Sequence, residues 1–437
     1  MWLKSLHAEN FRGFEKLDVT FDEHVTLLLG GNGAGKTAVL EAIAVGFGAF
    51  FAKIDQGPVK HIDADDARRV AYDLNGIPDF QEQWPVTIGM VIDPGTLPTN
   101  EFRGIVDIAW TRVREDRGGR TGRANEGHIR ETAERLQLQV QAGQLIDLPL
   151  VAYYGTQRLW RGKRTSEAIE SRGNRLDGYL DCLDIASSQR HLRDWMRQKT
   201  LEEVQQQSTN PGYRHPQLAA VVTAVKACID GVSRFWFDLM RDEIRIVRGA
   251  TVESFAMLSD GYRNMVAMVA DIAERAAVLN PQHGEAAARL TTGVVLIDEL
   301  ELHLHPKWQR TVVPSLCRTF PKMQFIATTH SPQILSTVER TQVRIFRDNQ
   351  LVASDGFVAG RDANELLEDI FGVSARPEAS QRQLDELFRL LDREEFDSAR
   401  AMLLALETQL GPHDEAIVRA RWTLDAEAPL PAAPATS

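Results

Sequence analysis

The segment GGNGAGKT, Gly30 through Thr37, limits what this chain can fold into more than any other stretch. It follows the apolar run Val25–Leu29 and precedes Leu40, Ile43, Ala44 and Phe47 at helical spacing. Strand, glycine-rich turn and helix in that order belong to an α/β fold with a parallel sheet. The glycines let the main-chain N–H groups of Gly30, Gly31, Asn32, Gly33, Ala34 and Gly35 converge as an anion nest. The helix beginning at Lys36, Thr37 and Ala38 adds its positive N-terminal end. In such a P-loop Lys36 reaches the β- and γ-phosphates of a nucleoside triphosphate, and the Thr37 hydroxyl ligates Mg²⁺. ATP and Mg²⁺ are therefore the expected ligands. A chance glycine loop would need neither the strand before it nor the helix after it.

A second half-site is expected near VVLIDELELHLHP, Val294 through Pro306. Its apolar strand ends in Asp298, placed to hold the Mg²⁺ shell, and Glu299, placed to accept a proton from the attacking water. Paired acids after a strand can instead cap the next helix, but P-loop followed by a strand ending in Asp-Glu fits the parallel sheet of a nucleotide-binding fold. Between the two lies LSDGYRNMVAMVADIA, Leu258 to Ala273. Ser259 and Gly261 open a helix whose Met265, Val266, Met268, Val269 and Ile272 face inward, making another anion-binding end. One γ-phosphate needs only one such end. The spare one makes sense if it closes on ATP held by another copy; the plainer reading is a serine N-cap.

The formal net charge of -11 argues against a surface that coats nucleic acid indiscriminately and leaves room for a local basic groove. Cys182, Cys228 and Cys317 lie far apart with no CxxC pair, which fits a reducing compartment and offers no zinc knuckle. MWLKSLHAENFRGF has no apolar core of signal-peptide length, and no stretch approaches the roughly 20 apolar residues of a membrane helix. A soluble, cytoplasmic protein with no membrane partner is expected.

The order of these segments resembles the ABC-ATPase superfamily: P-loop, LSxG element, strand ending in Asp-Glu, then a strand ending in His330 within QFIATTHSPQIL. The resemblance implies an α/β ABC-ATPase head, with a mixed sheet, flanking helices and an antiparallel β lobe, plus a helical insertion and C-terminal helices. It implies that His330 senses the γ-phosphate and orients water, that Gln157 is a Q-loop ligand of Mg²⁺ or water, and that Arg12 in NFRGF reaches the phosphates. Transporter subunits usually read LSGGQ where this chain has LSDGYR, and the long coiled coils of SMC and zinc-hook proteins have no room between Lys36 and Ser259. Only 107 residues follow His330, too few for a Toprim nuclease domain beside the hairpin and helices expected there. LSDGYRNMVAMVADIA and LIDELELHLHP look most like the compact OLD-like ATPases of phage defence, the Septu- and retron-associated group. That likeness implies a dimer or higher even oligomer working with a separate HNH-type nuclease. The rivals are a RecF-like or SMC-like DNA-repair ATPase without a nuclease partner, and an ATP-binding scaffold with negligible turnover.

The expected division is an ATPase N-terminal lobe over 1–157, a helical insertion over 158–240, a C-terminal ATPase lobe over 241–357, a helical region over 358–428 and a disordered tail over 429–437. Arg112–Arg130 reads as an exposed loop rich in Arg and Gly. Arg158–Arg175 carries six basic residues against Glu167 and Glu170, a patch suited to DNA or RNA phosphates or simply a solvated loop; Trp160 within it could stack on a base. His303 and His305 more readily begin a loop and helix than pair on a metal. In the C-terminal block, Leu384, Leu387, Leu391, Ala399, Leu403, Leu406 and Leu410 form helical stripes broken at Glu394–Asp397, a packing face or a partner surface.

Overall fold

The computed structural model describes the chain except residues 56, 96, 98–106, 123–124, 157–173, 185–188, 353–375 and 428–437. Gln157, Trp160, most of the basic patch and the terminal tail fall outside the described residues. The chain divides into two compact units, Met1–Arg361 and Asp362–Ser437.

The first unit opens with β1 (Trp2–Phe11), β2 (Phe14–Thr20) and β3 (Val25–Gly30), followed by helix α1 (Lys36–Phe51). A hairpin of β4 (Arg69–Leu74) and β5 (Ile77–Glu82) precedes β6 (Val86–Asp93), β7 (Ile108–Arg114), α2 (Gly127–Gln141) and β8 (Leu150–Tyr154). Next come α3 (Gln189–Gln207), α4 (Pro216–Cys228), and a small sheet of β9 (Val232–Asp238), β10 (Glu243–Arg248) and β11 (Thr251–Ser254). The remaining elements are α5 (Asp260–Leu279), β12 (Gly293–Ile297), α6 (Val312–Thr319), β13 (Met323–Thr328), β14 (Val343–Arg347) and β15 (Gln350–Val352).

The central sheet runs β15-β14-β3-β13-β12-β8. All pairs from β14 to β8 are parallel, and β15 closes the edge antiparallel. Every residue of β3, β8, β12 and β13 is buried, as expected for parallel strands covered on both faces. A separate antiparallel sheet, ordered β2-β1-β6-β7, alternates instead. In β6 every second residue is buried, so this sheet has one face on the core. Helix α1 lies against both sheets. Only Thr37 among its residues is not buried, which explains why its apolar residues show so little one-sidedness. The buried amide of Gln324 in β13 accepts from the Leu3 N–H at 2.8 Å and donates to the Leu3 and Asp22 carbonyls at 2.8 Å. It thereby satisfies main-chain groups where the register of β1 shifts between Leu3 and Ser5.

Two expectations change. Arg112 does not open an exposed loop: it is buried on β7, pairs with buried Glu126 at 2.9 Å and donates to the Val45 and Lys60 carbonyls. Burying this pair is tolerable because its remaining N–H donors also find acceptors. Val232–Asp238, expected within the helical stretch, is strand β9, whose alternating Val232, Phe235 and Phe237 are buried.

In the second unit α7 (Glu378–Asp392), α8 (Phe396–Leu410) and α9 (Glu415–Glu427) share one core. Leu384, Leu387, Leu391, Ala399, Leu403 and Leu406 are buried in it, joined by Ile417, Ala420 and Leu424 from the third helix.

Candidate functional site

The carboxyl ends of β3, β12 and β13 meet at one edge of the central sheet, the usual ligand edge of a parallel α/β fold. There β3 runs into the glycine loop, β12 into Asp298-Glu299 and β13 into Thr329-His330. Gly33 (φ 78°) and Gly35 (φ 93°) adopt left-handed conformations that a side chain would strain. Phe14 and Asn349 pack against Gly35, so its missing side chain also makes room for neighbours. Gly31, Asn32 and Gly33 remain exposed. Lys36 is buried, and its ammonium donates to the Gly30 carbonyl at 2.9 Å and the Gly31 carbonyl at 2.8 Å. Burial lowers its pKa, and the nearby carboxylates of Asp298, Glu301 and Glu299 act in the opposite direction.

The Thr37 hydroxyl donates to both carboxylate oxygens of Asp298, at 3.1 and 3.0 Å, joining α1 to β12 across 261 positions of sequence. The Thr328 hydroxyl donates to the same carboxylate at 2.6 Å and accepts from the Glu299 N–H at 2.7 Å. A hydroxyl beside a carboxylate is the hard oxygen donor set that suits Mg²⁺. Among the described residues no group of three or more His, Cys, Asp or Glu could hold a metal. Mg²⁺ bound with a nucleotide usually takes one or two protein oxygens and completes its shell with phosphate oxygens and water.

Glu299 is half-buried with φ 49°, a left-handed conformation that is uncommon outside glycine and marks a sharp turn after β12. The turn returns through Glu301, whose Oε1 accepts from the His330 main-chain N–H at 2.5 Å. Burial lowers the His330 pKa, Lys36 lowers it further, and Glu301, Glu299 and Asp298 partly oppose them. The ring is accordingly neutral near pH 7.

Ser259 and Gly261 stand at the start of α5, away from these ties. Ser259 holds the N-cap position, its carbonyl accepting from the Arg263 N–H at 2.9 Å, but it is exposed and its hydroxyl makes no cap bond to its own helix. Gly261 is buried directly beneath the His303 carbonyl, where a β-carbon would overlap main-chain atoms. Beside it Tyr262 packs at a tilt of 52° against Trp308, with ring centroids 4.6 Å apart. The start of α5 therefore packs on the segment following Glu299. Gly261→Ala is expected to cost about 1–3 kcal/mol by overpacking against main chain that cannot yield. At an ordinary helix position the same change stabilises by about 1 kcal/mol, so a thermal melt reads the sign directly.

Other anticipated residues sit as follows. Arg12 (φ 50°) donates through Nε to Asp66 at 2.9 Å, on the turn whose Phe14 packs on Gly35. A depression of about 670 Å³ is lined by Arg12, Asp63, Asp66 and Arg69 and by no residue of the glycine loop. Arg175 does not belong to a free basic patch: it donates to the Leu279, Gln144 and Ile146 carbonyls. His305 accepts from the Lys307 N–H as a helix cap, and His303 turns the chain at φ 62°. Sequence reasoning missed Thr328, Glu301 and Asp66. Thr328 stands two residues before His330 and Glu301 two after Glu299; that spacing is the only local signal either offered.

Fold and site together define a P-loop nucleoside triphosphatase. An AAA domain family matches residues 5–211, and a second, described as "AAA domain, putative AbiEii toxin, Type IV TA system", matches residues 247–336. The chain is an ATPase carrying AAA-type domains. It is 26% identical to "Retron Ec83 probable ATPase" of Escherichia coli over 96% of this chain and 86% of that one. It is 23% identical to "Septu protein PtuA" of Bacillus thuringiensis over 94% of each chain. Among solved structures it aligns with an SMC head bound to the C-terminal winged-helix domain of ScpA, at 16% identity and a TM-score of 0.47, over 80% of this chain and 98% of that one. Among the described residues no helix is long and apolar enough to cross a membrane.

Proposed function

We propose that this chain is a defence-associated ATPase switch: two copies enclose two ATP molecules, and the nucleotide state controls a separate HNH-type nuclease. The observation that carries the ATPase site is the Thr37 hydroxyl set against the Asp298 carboxylate. In this reading Thr37 and Asp298, with Gln157, hold Mg²⁺, which when bound offsets charge on the phosphate oxygens. Lys36 and the main chain of Gly30–Ala38 bind the phosphates, and Arg12 approaches from the adjoining turn. Glu299 accepts the proton of water attacking the γ-phosphate in line, while neutral His330 orients that water.

The dimer is supported by Ser259, an exposed hydroxyl at a helix start that makes no cap bond to its own helix. The defence setting and a nuclease partner are supported by the likeness to the retron and Septu proteins, and a cytoplasmic location goes with that reading. In the C-terminal unit Trp422 (75% exposed) and Leu404 (69%) offer apolar surface for that partner.

The test is to purify the chain with the product of its neighbouring gene and size the complex with and without ATP. An even number of copies with ATP, holding a nuclease subunit, is expected; a single ATP-bound copy would sink the switch. Deleting residues 378–437 is expected to abolish nuclease capture and leave ATP turnover in place. Capture unaffected by the deletion removes the partner role of that unit.

A further inference from the structure

We propose that Glu301 is a positioning residue for the switch histidine, tying the end of β13 to the turn that carries Glu299. This rests on reading His330 as the group that senses the γ-phosphate. The tie is specific: Glu301 Oε1 accepts from the His330 main-chain N–H at 2.5 Å, while the Glu301 carbonyl accepts from the Leu304 N–H at 2.7 Å. The same turn is closed by the Leu302 N–H donating to the Glu299 carbonyl at 2.9 Å. One side chain thus links the histidine's backbone to a loop two residues from the proposed base.

Oε2 of Glu301 is buried without a hydrogen-bond partner, so the tie to the His330 N–H is made by Oε1 alone. Leaving such an acceptor unsatisfied costs stability, and groups of this kind in native sites call for a functional account. Thr328 ties the end of β13 to the main chain of Glu299 and Leu300, and the Glu301 carboxylate adds the tie to His330 itself, so a shift at His330 would reach the turn holding Glu299 and, farther along it, the His303 carbonyl that covers Gly261.

The experiment measures Mg-ATP turnover of the full chain with E301A, E301Q, E301D, H330A and the double variant E301A/H330A. E301A is expected to lower kcat about tenfold with KM within about twofold of wild type. E301Q, which keeps the accepting oxygen, should restore most of the rate, and E301D, too short to reach the His330 N–H, should behave as E301A. The double variant should be no slower than H330A, because Glu301 acts through the histidine. Wild-type kcat in E301A beside a slow H330A overturns the proposal alone, as do losses that multiply in the double variant. If E301A fails to fold, E301Q as slow as H330A overturns it in turn. H330A at the wild-type rate overturns the reading of His330 and the proposal with it.

Discussion

Glu299→Gln is expected to slow ATP turnover by roughly 10²–10⁴-fold while leaving ATP binding intact. The substitution keeps size and shape, so the turn at φ 49° and the bond from the Glu299 N–H to Thr328 persist. What disappears is the carboxylate able to take a proton from water. With hydrolysis blocked and phosphates still held, ATP should accumulate in a closed two-copy form, visible as a doubling of mass by light scattering only when Mg-ATP is present. A wild-type hydrolysis rate in this variant would move the base elsewhere, and Glu301, the next carboxylate along the same turn, would be the first place to look.

Lys36→Ala should weaken ATP binding by about 3 kcal/mol, roughly a hundredfold in Kd, through loss of a charge-assisted contact to the phosphates. The resting structure makes this more than a charge argument. The Lys36 ammonium is already held by the Gly30 and Gly31 carbonyls at 2.9 and 2.8 Å, poised at the loop rather than free in solvent. Its pKa is lowered in the folded state, chiefly by burial, so the unfolded chain binds this proton more tightly. At neutral pH the charged amine is then a cost to folding, a cost that fades as pH rises through the lowered pKa toward the ordinary lysine range. Alanine removes that cost. The variant should melt within a few degrees of wild type without nucleotide and lose the ATP-induced rise in melting temperature. Undiminished ATP affinity by calorimetry would show that the loop does not hold the phosphates.

The elements that sequence made legible are those whose pattern is local. The glycine loop, the fully buried strands β3, β12 and β13 and the buried face of α5 follow from runs of adjacent residues. Positive φ at Gly33 and Gly35 comes from the same source, because only glycine adopts it without strain. The stripes of α7 and α8 were equally plain, since their period is that of the helix itself.

Less legible was anything fixed by a distant partner. Arg112 looked like a charge in a polar loop, and only the placement of Glu126 and two main-chain carbonyls gives it a buried site. Arg175 counted toward a basic patch until the carbonyls of Leu279 and Ile146 were brought to its guanidinium. Neither partner is encoded within a few residues of the arginine it satisfies.

Sequence alone determined the glycine loop of Gly30–Thr37 between a buried parallel strand and a helix, the place where phosphate binding is expected, because a nest of N–H groups at a helix start is built from consecutive residues. Tertiary structure decided which hydroxyl meets which carboxylate: Thr37 with Asp298, Thr328 with both Asp298 and Glu299, Glu301 with the backbone of His330. Those pairings depend on strand order, in which β13 lies between β3 and β12, and strand order is set by packing across the whole sheet. A glycine at 261 was readable as part of a helix start. That it is needed to pass beneath the His303 carbonyl emerges only when two segments some forty residues apart are pressed together.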